Sequence, residues 1–66
     1  MRYRVKELRE ERGMTQEELS RLSGISRATI WALETADDKA TSTKTLAEIA
    51  HVLNVPIEAL FSGHNA

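Results

Sequence analysis

Ser26, Arg27, Ala28 and Thr29 open an apolar-periodic stretch that continues through Ile30 and Leu33. Ser26 is a favoured N-cap type, so Arg27 stands at the N-terminal end of a predicted helix. Its guanidinium presents a planar fork of donors that matches O6 and N7 of guanine. Ala28 and Thr29 suit contact with a thymine methyl, and Ala32, farther along, leaves room for close approach. Thr15 and Gln16 start another predicted helix, whose first amides are partly positive and suit a phosphate. This is the chemistry of base-edge and phosphate recognition. Chemistry that breaks bonds has little to work with here. No nucleophile, base and orienting group occur at informative spacing, so the chain is not expected to be an enzyme. Glu10-Glu11 and Glu17-Glu18 are adjacent on helices and point in different directions, so they read as solvated surface. His51 and His64 are separated and lack cysteine partners, so no metal site and no cofactor are expected.

These side chains must be positioned by helices. Strand signals are nearly absent, and the apolar spacing has a helical period. A first helix is predicted from about Tyr3 to Arg12, with Val5 and Leu8 inward and Gly13 as its left-handed stop. Thr15 with Glu18 forms the pattern of a capping box. The second helix turns Leu19 and Leu22 inward and ends at Gly24. The third runs from Arg27 to about Thr35. Residues 36–41 are polar and read as a loop. Ser42 or Thr43 caps a fourth helix with Leu46, Ile49, Ala50 and Leu53 on one face. Asn54 takes a left-handed position, and Pro56 suits the first turn of a short fifth helix with Ile57, Leu60 and Phe61. Residues 62–66 are expected to fray.

Two short helices joined by a turn of about four residues containing Gly make a helix-turn-helix, here spanning about residues 16–35. Gly24 permits the turn, Ile25 plugs the space between the helices, and Leu19, Ile30 and Leu33 seat the pair on the core. Ser20 is small where the helices cross. On a wheel of the third helix, Ile30 and Leu33 define the buried side, while Ala28, Trp31, Ala32 and Thr35 face away. Trp31 flanks the exposed side; local packing, on the fourth helix, is the favoured reading, beside contact with a sugar-phosphate backbone or a partner.

Composition bounds these readings. A chain of 66 residues holds one domain with one small core. It has no cysteine, which excludes disulfides and zinc fingers. Hydrophobic residues make up 41% and charged residues 29%, ordinary for a globular domain. No apolar run approaches a bilayer span, and Met1 to Arg4 is not followed by the apolar segment of a secretory signal, so a cytoplasmic location is expected. The net charge is -1, which argues mildly against a polyanion. Yet residues 1–35 hold seven Lys and Arg against six Asp and Glu, while residues 36–66 hold two against four. Phosphate binding needs a local patch rather than a basic average.

Residues 5–35, VKELREERGMTQEELSRLSGISRATIWALET, resemble the Cro and phage-repressor family, the Xre-type or lambda-repressor-like helix-turn-helix proteins. The pattern TQEEL, SGIS, TI and LE carries the resemblance. It continues through LAEIAHVLNV to the LF at Leu60 and Phe61, covering roughly residues 4–61. The resemblance implies an all-α, compact five-helix bundle with a role in transcriptional regulation. By position it implies that Gln16 contacts phosphate and base, that Arg27, Ala28, Thr29 and Ala32 read bases, and that Thr35 contacts phosphate. It implies an ion pair between Arg9 and Glu34. Many members have Gly at the position of Ala36 and Pro before the fourth helix. This chain has neither, and Asp37 and Asp38 oppose a nearby phosphate, with Lys39 and Lys44 as compensation.

The expected partner is therefore double-stranded DNA, met by Thr15, Gln16, Ser26, Arg27, Ala28, Thr29, Ala32, Thr35 and Lys44. A homodimer through Ile57, Leu60 and Phe61 is expected to read a pseudo-palindrome, with half-sites one helical turn apart. No membrane and no small-molecule ligand are expected. The alternative is a protein-interaction module with the same fold, as in an antitoxin, which the acidic second half favours slightly.

Overall fold

The computed structural model describes residues 3–35 and 42–61. The predicted loop with Asp37, Asp38 and Lys39 and the predicted tail at 62–66 lie outside the described residues. Among the described residues there are four α-helices: α1 (Val5–Glu11), α2 (Gln16–Ser23), α3 (Arg27–Thr35) and α4 (Thr43–Leu53). The expected fifth helix is a single 3-10 turn, Ile57–Leu60. Pro56 stands just before that turn rather than inside it, with φ -68° and ψ 153°. The extended ψ at Pro56 keeps it out of the turn.

Local sequence explains most of the boundaries. Thr15 Oγ1 accepts from the Glu18 amide at 3.0 Å, and Glu18 Oε1 accepts from the Thr15 amide at 3.0 Å. That reciprocal box starts α2. Ser26 Oγ accepts from the Thr29 amide at 3.1 Å and starts α3. Ser42, rather than Thr43, caps α4 by accepting from the Thr45 amide at 3.1 Å. Asn54 ends α4 at φ 60° and ψ 45°, a left-handed conformation that Asn tolerates better than most side chains. α1 is shorter than the predicted Tyr3 to Arg12. Tyr3 is extended and makes an isolated antiparallel bridge with Phe61, and the Arg4 amide donates to the Leu60 carbonyl at 2.7 Å. The two ends of the fold are thereby tied, with the Tyr3 and Phe61 rings 5.8 Å apart.

One cluster forms the core: Val5, Leu8, Leu19, Ile30, Leu33, Leu46, Ile49, Ala50, Leu53 and Leu60. α4 packs on α1, α2 and the 3-10 turn, while α3 packs on α1 and α2. Leu22 corrects the sequence reading: it was expected inward and is 54% exposed. Ser23 is buried in α2 instead, and its Oγ donates to the Leu19 carbonyl at 2.6 Å. α2 thus buries a strip that holds Leu19 and Ser23 and leaves Leu22 outside it. Trp31, for which local packing was favoured, is 59% exposed.

Arg12 closes two helices at once. Its Nε donates to the Leu53 carbonyl at the end of α4 at 2.6 Å, and its Nη1 donates to the Leu8 carbonyl in α1 at 2.9 Å. A cation at a helix C-terminus also opposes the negative end of the dipole. Arg12→Met is expected to lower stability by about 1–2 kcal/mol, because both carbonyls lose a charged donor. Gly24 has φ +77° with open space around its missing side chain. Gly24→Ala therefore carries only the left-handed backbone penalty, about 1–2 kcal/mol. Urea midpoints at an unchanged m-value measure both.

Candidate nucleic-acid interface

The turn between α2 and α3 is built from three residues. Gly24 is left-handed at φ 77° and ψ 10°, and its amide donates to the Ser20 carbonyl. Ile25 is half-buried against the core, and its amide donates to Ser23 Oγ at 3.2 Å. Ser26 then caps α3. Ser20, expected at the helix crossing, is half-buried, while Ser23 is the buried serine.

A polar network holds the start of α2 against the end of α3. Arg9 Nε donates to Glu34 Oε2 at 2.8 Å, and Arg9 Nη2 donates to Glu34 Oε1 at 3.1 Å. The same guanidinium donates from Nη1 to the Met14 carbonyl at 2.7 Å. Gln16 Nε2 adds a donor to Glu34 Oε1 at 2.9 Å. The Glu34 side chain is 2% exposed and that of Arg9 10%. The hydrogen bond to Glu34, above all, raises the Arg9 pKa beyond its ordinary value. Arg9 therefore keeps its charge throughout the pH range in which proteins fold. Sequence reasoning paired Arg9 with Glu34 but missed the bonds to Gln16 and to the Met14 carbonyl. It also missed Arg12, whose partner at Leu53 is 41 positions away.

Outside this network lies an open depression of about 470 Å³. It is bounded by Thr15, Gln16 and Glu17 at the start of α2, by Arg9, Glu10, Gly13 and Met14, and by Arg27 at the start of α3. Three predicted site residues, Thr15, Gln16 and Arg27, thus meet at one place. The capping box engages the amides of Thr15 and Glu18. The amides of Gln16 and Glu17 remain without intrahelical partners and give this edge a partial positive charge. Glu10 and Glu17 oppose it.

The other predicted residues fall elsewhere. Arg27, Ala28 and Thr35 are exposed on α3, and Thr29 and Ala32 are half-buried. Ser26 is exposed, but its oxygen serves the cap and lies 2.9 Å from Thr29 Oγ1. Lys44 is exposed in the first turn of α4. Of the dimerisation candidates, Leu60 is wholly buried in the chain's own core, which removes it from any free surface. Phe61 is half-buried against Tyr3, and Ile57 is half-buried. Among the described residues, no three His, Cys, Asp or Glu side chains gather to hold a metal ion. No described helix is long and apolar enough to cross a membrane.

Two helices crossing at a glycine turn, the second with one exposed and one buried side, define a helix-turn-helix domain. The helix-turn-helix family profile matches residues 5–60, and the chain belongs to that family, of the Xre, lambda-repressor-like kind. A protein of Archaeoglobus fulgidus named as an uncharacterized HTH-type transcriptional regulator is 44% identical over 61 residues, covering 92% of this chain and 86% of the relative. A second so-named protein of that organism is also 44% identical over 61 residues, with 84% of its own length covered.

Removing one member of a buried ion pair strands the other charge. Arg9→Met alone is expected to destabilise by about 3–5 kcal/mol, and the double change Arg9→Met with Glu34→Leu by much less. Thermal and urea melts of the two single variants and the double variant measure the difference.

Proposed function

We propose that the protein is a sequence-specific DNA-binding transcriptional regulator that acts by occupying its site. The observation that supports this most is the meeting of Thr15, Gln16 and Arg27 around one depression, with the exposed side of α3 running on from it. α3 is the recognition helix and enters the major groove from its N-terminal end. Arg27 reads guanine, Ala28 and Thr29 read neighbouring positions, and Ala32 keeps the helix close. Thr15, Gln16 and the first amides of α2 grip a phosphate and set the register. Thr35 and Lys44 add backbone contacts.

Two copies read a pseudo-palindrome with half-sites about one turn apart. Ile57 and the outer edge of Phe61 are what remains of the candidate dimer surface. The net charge of -1 favours a second reading, a module whose main partner is a protein. Salt separates the two, because DNA binding releases counterions and weakens steeply as salt rises.

Selection of sites from a randomised duplex library at two salt concentrations is the test. An enriched two-fold symmetric motif supports a dimeric regulator, and absence of enrichment and of binding at moderate salt refutes it. Arg27→Ala is expected to cost about 1–3 kcal/mol on the enriched site and to relax preference at one position. Gln16→Ala should weaken all sequences more evenly. Lys44→Ala should reduce the salt slope by about 1 without changing preference.

A further inference from the structure

We propose that Trp31 is a DNA-backbone contact, its indole lying on the wall of the major groove and donating from Nε1 to a phosphate oxygen. This rests on the DNA-binding reading and adds a residue that the family pattern does not supply. Trp31 is the only tryptophan and is 59% exposed, unusual for so large an apolar side chain. Its position on α3 explains the exposure. Ile30 and Leu33 occupy the inward side. Arg27, Trp31 and Thr35 are spaced i, i+4, i+8 and form one row along the helix, each stepping about 40° around the axis. Ala28 and Ala32 form the neighbouring row. The Thr35 hydroxyl donates to the Trp31 carbonyl at 2.9 Å, inside that first row.

A row of alanines lets the helix axis approach base edges. A helix is about 10–12 Å across, close to the roughly 12 Å width of the major groove, so past the N-terminal turn, where Arg27 reaches base edges, residues beside the alanine row face the groove wall. The wall is deoxyribose and phosphate. An indole offers an apolar face to the sugar and one N–H donor to the phosphate, and it accepts nothing. Charge selects the occupant. The only acid in α3, Glu34, is buried against Arg9 and Gln16, so the exposed side of the helix carries Arg27 and no carboxylate. That surface is complementary to a polyanion.

A single tryptophan makes its emission a direct probe. The duplex enriched by selection is titrated into the protein while duplex anisotropy and tryptophan emission are followed together, with iodide quenching before and after saturation. Emission is expected to change in step with anisotropy, and quenching to fall. Trp31→Phe should lower affinity about 2- to 10-fold, the worth of one net hydrogen bond, and Trp31→Ala should lower it further. Both losses should be equal across duplex sequences. The salt slope should stay parental, because a neutral donor releases no counterion. Both variants should melt as the parent does, since the side chain is largely exposed.

Duplex binding by the parent protein with no change in its emission, together with parental affinity in both variants, overturns the proposal while leaving the DNA reading intact. A loss confined to one base position makes Trp31 a base reader and overturns the backbone assignment. Emission that shifts with protein concentration alone points to a second copy and overturns it too. Failure of every duplex to bind removes the DNA reading and this contact with it.

Discussion

The bidentate contact of Arg9 with Glu34 determines what the rest of the molecule presents. It joins positions 25 apart in sequence and links α1 to the last turn of α3. Burying two charges is expensive, and such a pair contributes little net stability. What it contributes is orientation. Ile30 and Leu33 alone would tolerate some rotation of α3, because apolar contacts are not directional. A guanidinium fork is directional. With two oxygens of Glu34 held, α3 cannot turn about its axis without stranding a buried carboxylate. The same contact therefore fixes which residues face outward: Arg27, Ala28, Trp31 and Thr35. Gln16 shares an oxygen of Glu34 and brings the start of α2 into the same register. The interior polar network and the exterior face are one construction.

Small size explains the other polar ties. Among the described residues one core of ten buried apolar side chains, without disulfides, must hold four helices. Helix ends in such a fold sit close to the core, where an unpaired carbonyl is costly. Arg12 answers this for α1 and α4, while the buried hydroxyl of Ser23 satisfies itself on the Leu19 carbonyl inside α2. The bridge between Tyr3 and Phe61 ties the two ends of the described fold to each other. It also turns Leu60 inward, which is why a residue resembling a dimer contact is part of the core.

Features governed by neighbours in sequence were legible before the structure. The capping box at Thr15 and Glu18, the turn at Gly24 and the left-handed Asn54 each follow from chemistry within a few residues. Features governed by distant packing were not. The apolar period alone turned Leu22 inward, because it assumes that α2 buries a broad face; α2 buries a narrow one. The fifth helix became a single 3-10 turn because extended Pro56 and the paired Phe61 leave room for only four residues between them. The bond from Gln16 to Glu34 spans 18 positions and leaves no local signal. The Arg9–Glu34 pairing was foreseen through the family pattern, not through spacing.

The same ties bear on how a near-neutral chain meets a polyanion. Arg4 pairs with Glu7, Arg9 with Glu34, and Arg12 with two carbonyls and Glu11. Among the described residues, that leaves Lys6, Arg21, Arg27 and Lys44 without a described carboxylate in ion-pair range. Each phosphate contact by a cation contributes about 0.9 to the salt slope, so these four described cations would give about 3.6 per subunit. Non-specific affinity, which is almost wholly this term, is then weak. On the proposed reading, a regulator of this composition draws much of its affinity from contacts that are not phosphate ion pairs: the amides that start α2, the base-edge fork of Arg27, and an apolar surface on α3. An exposed tryptophan in a row with Arg27 is the kind of contact that such a surface needs. The fold commits Arg9 to fixing α3, and on the proposed reading the exposed side of α3 meets the duplex with geometry in place of charge.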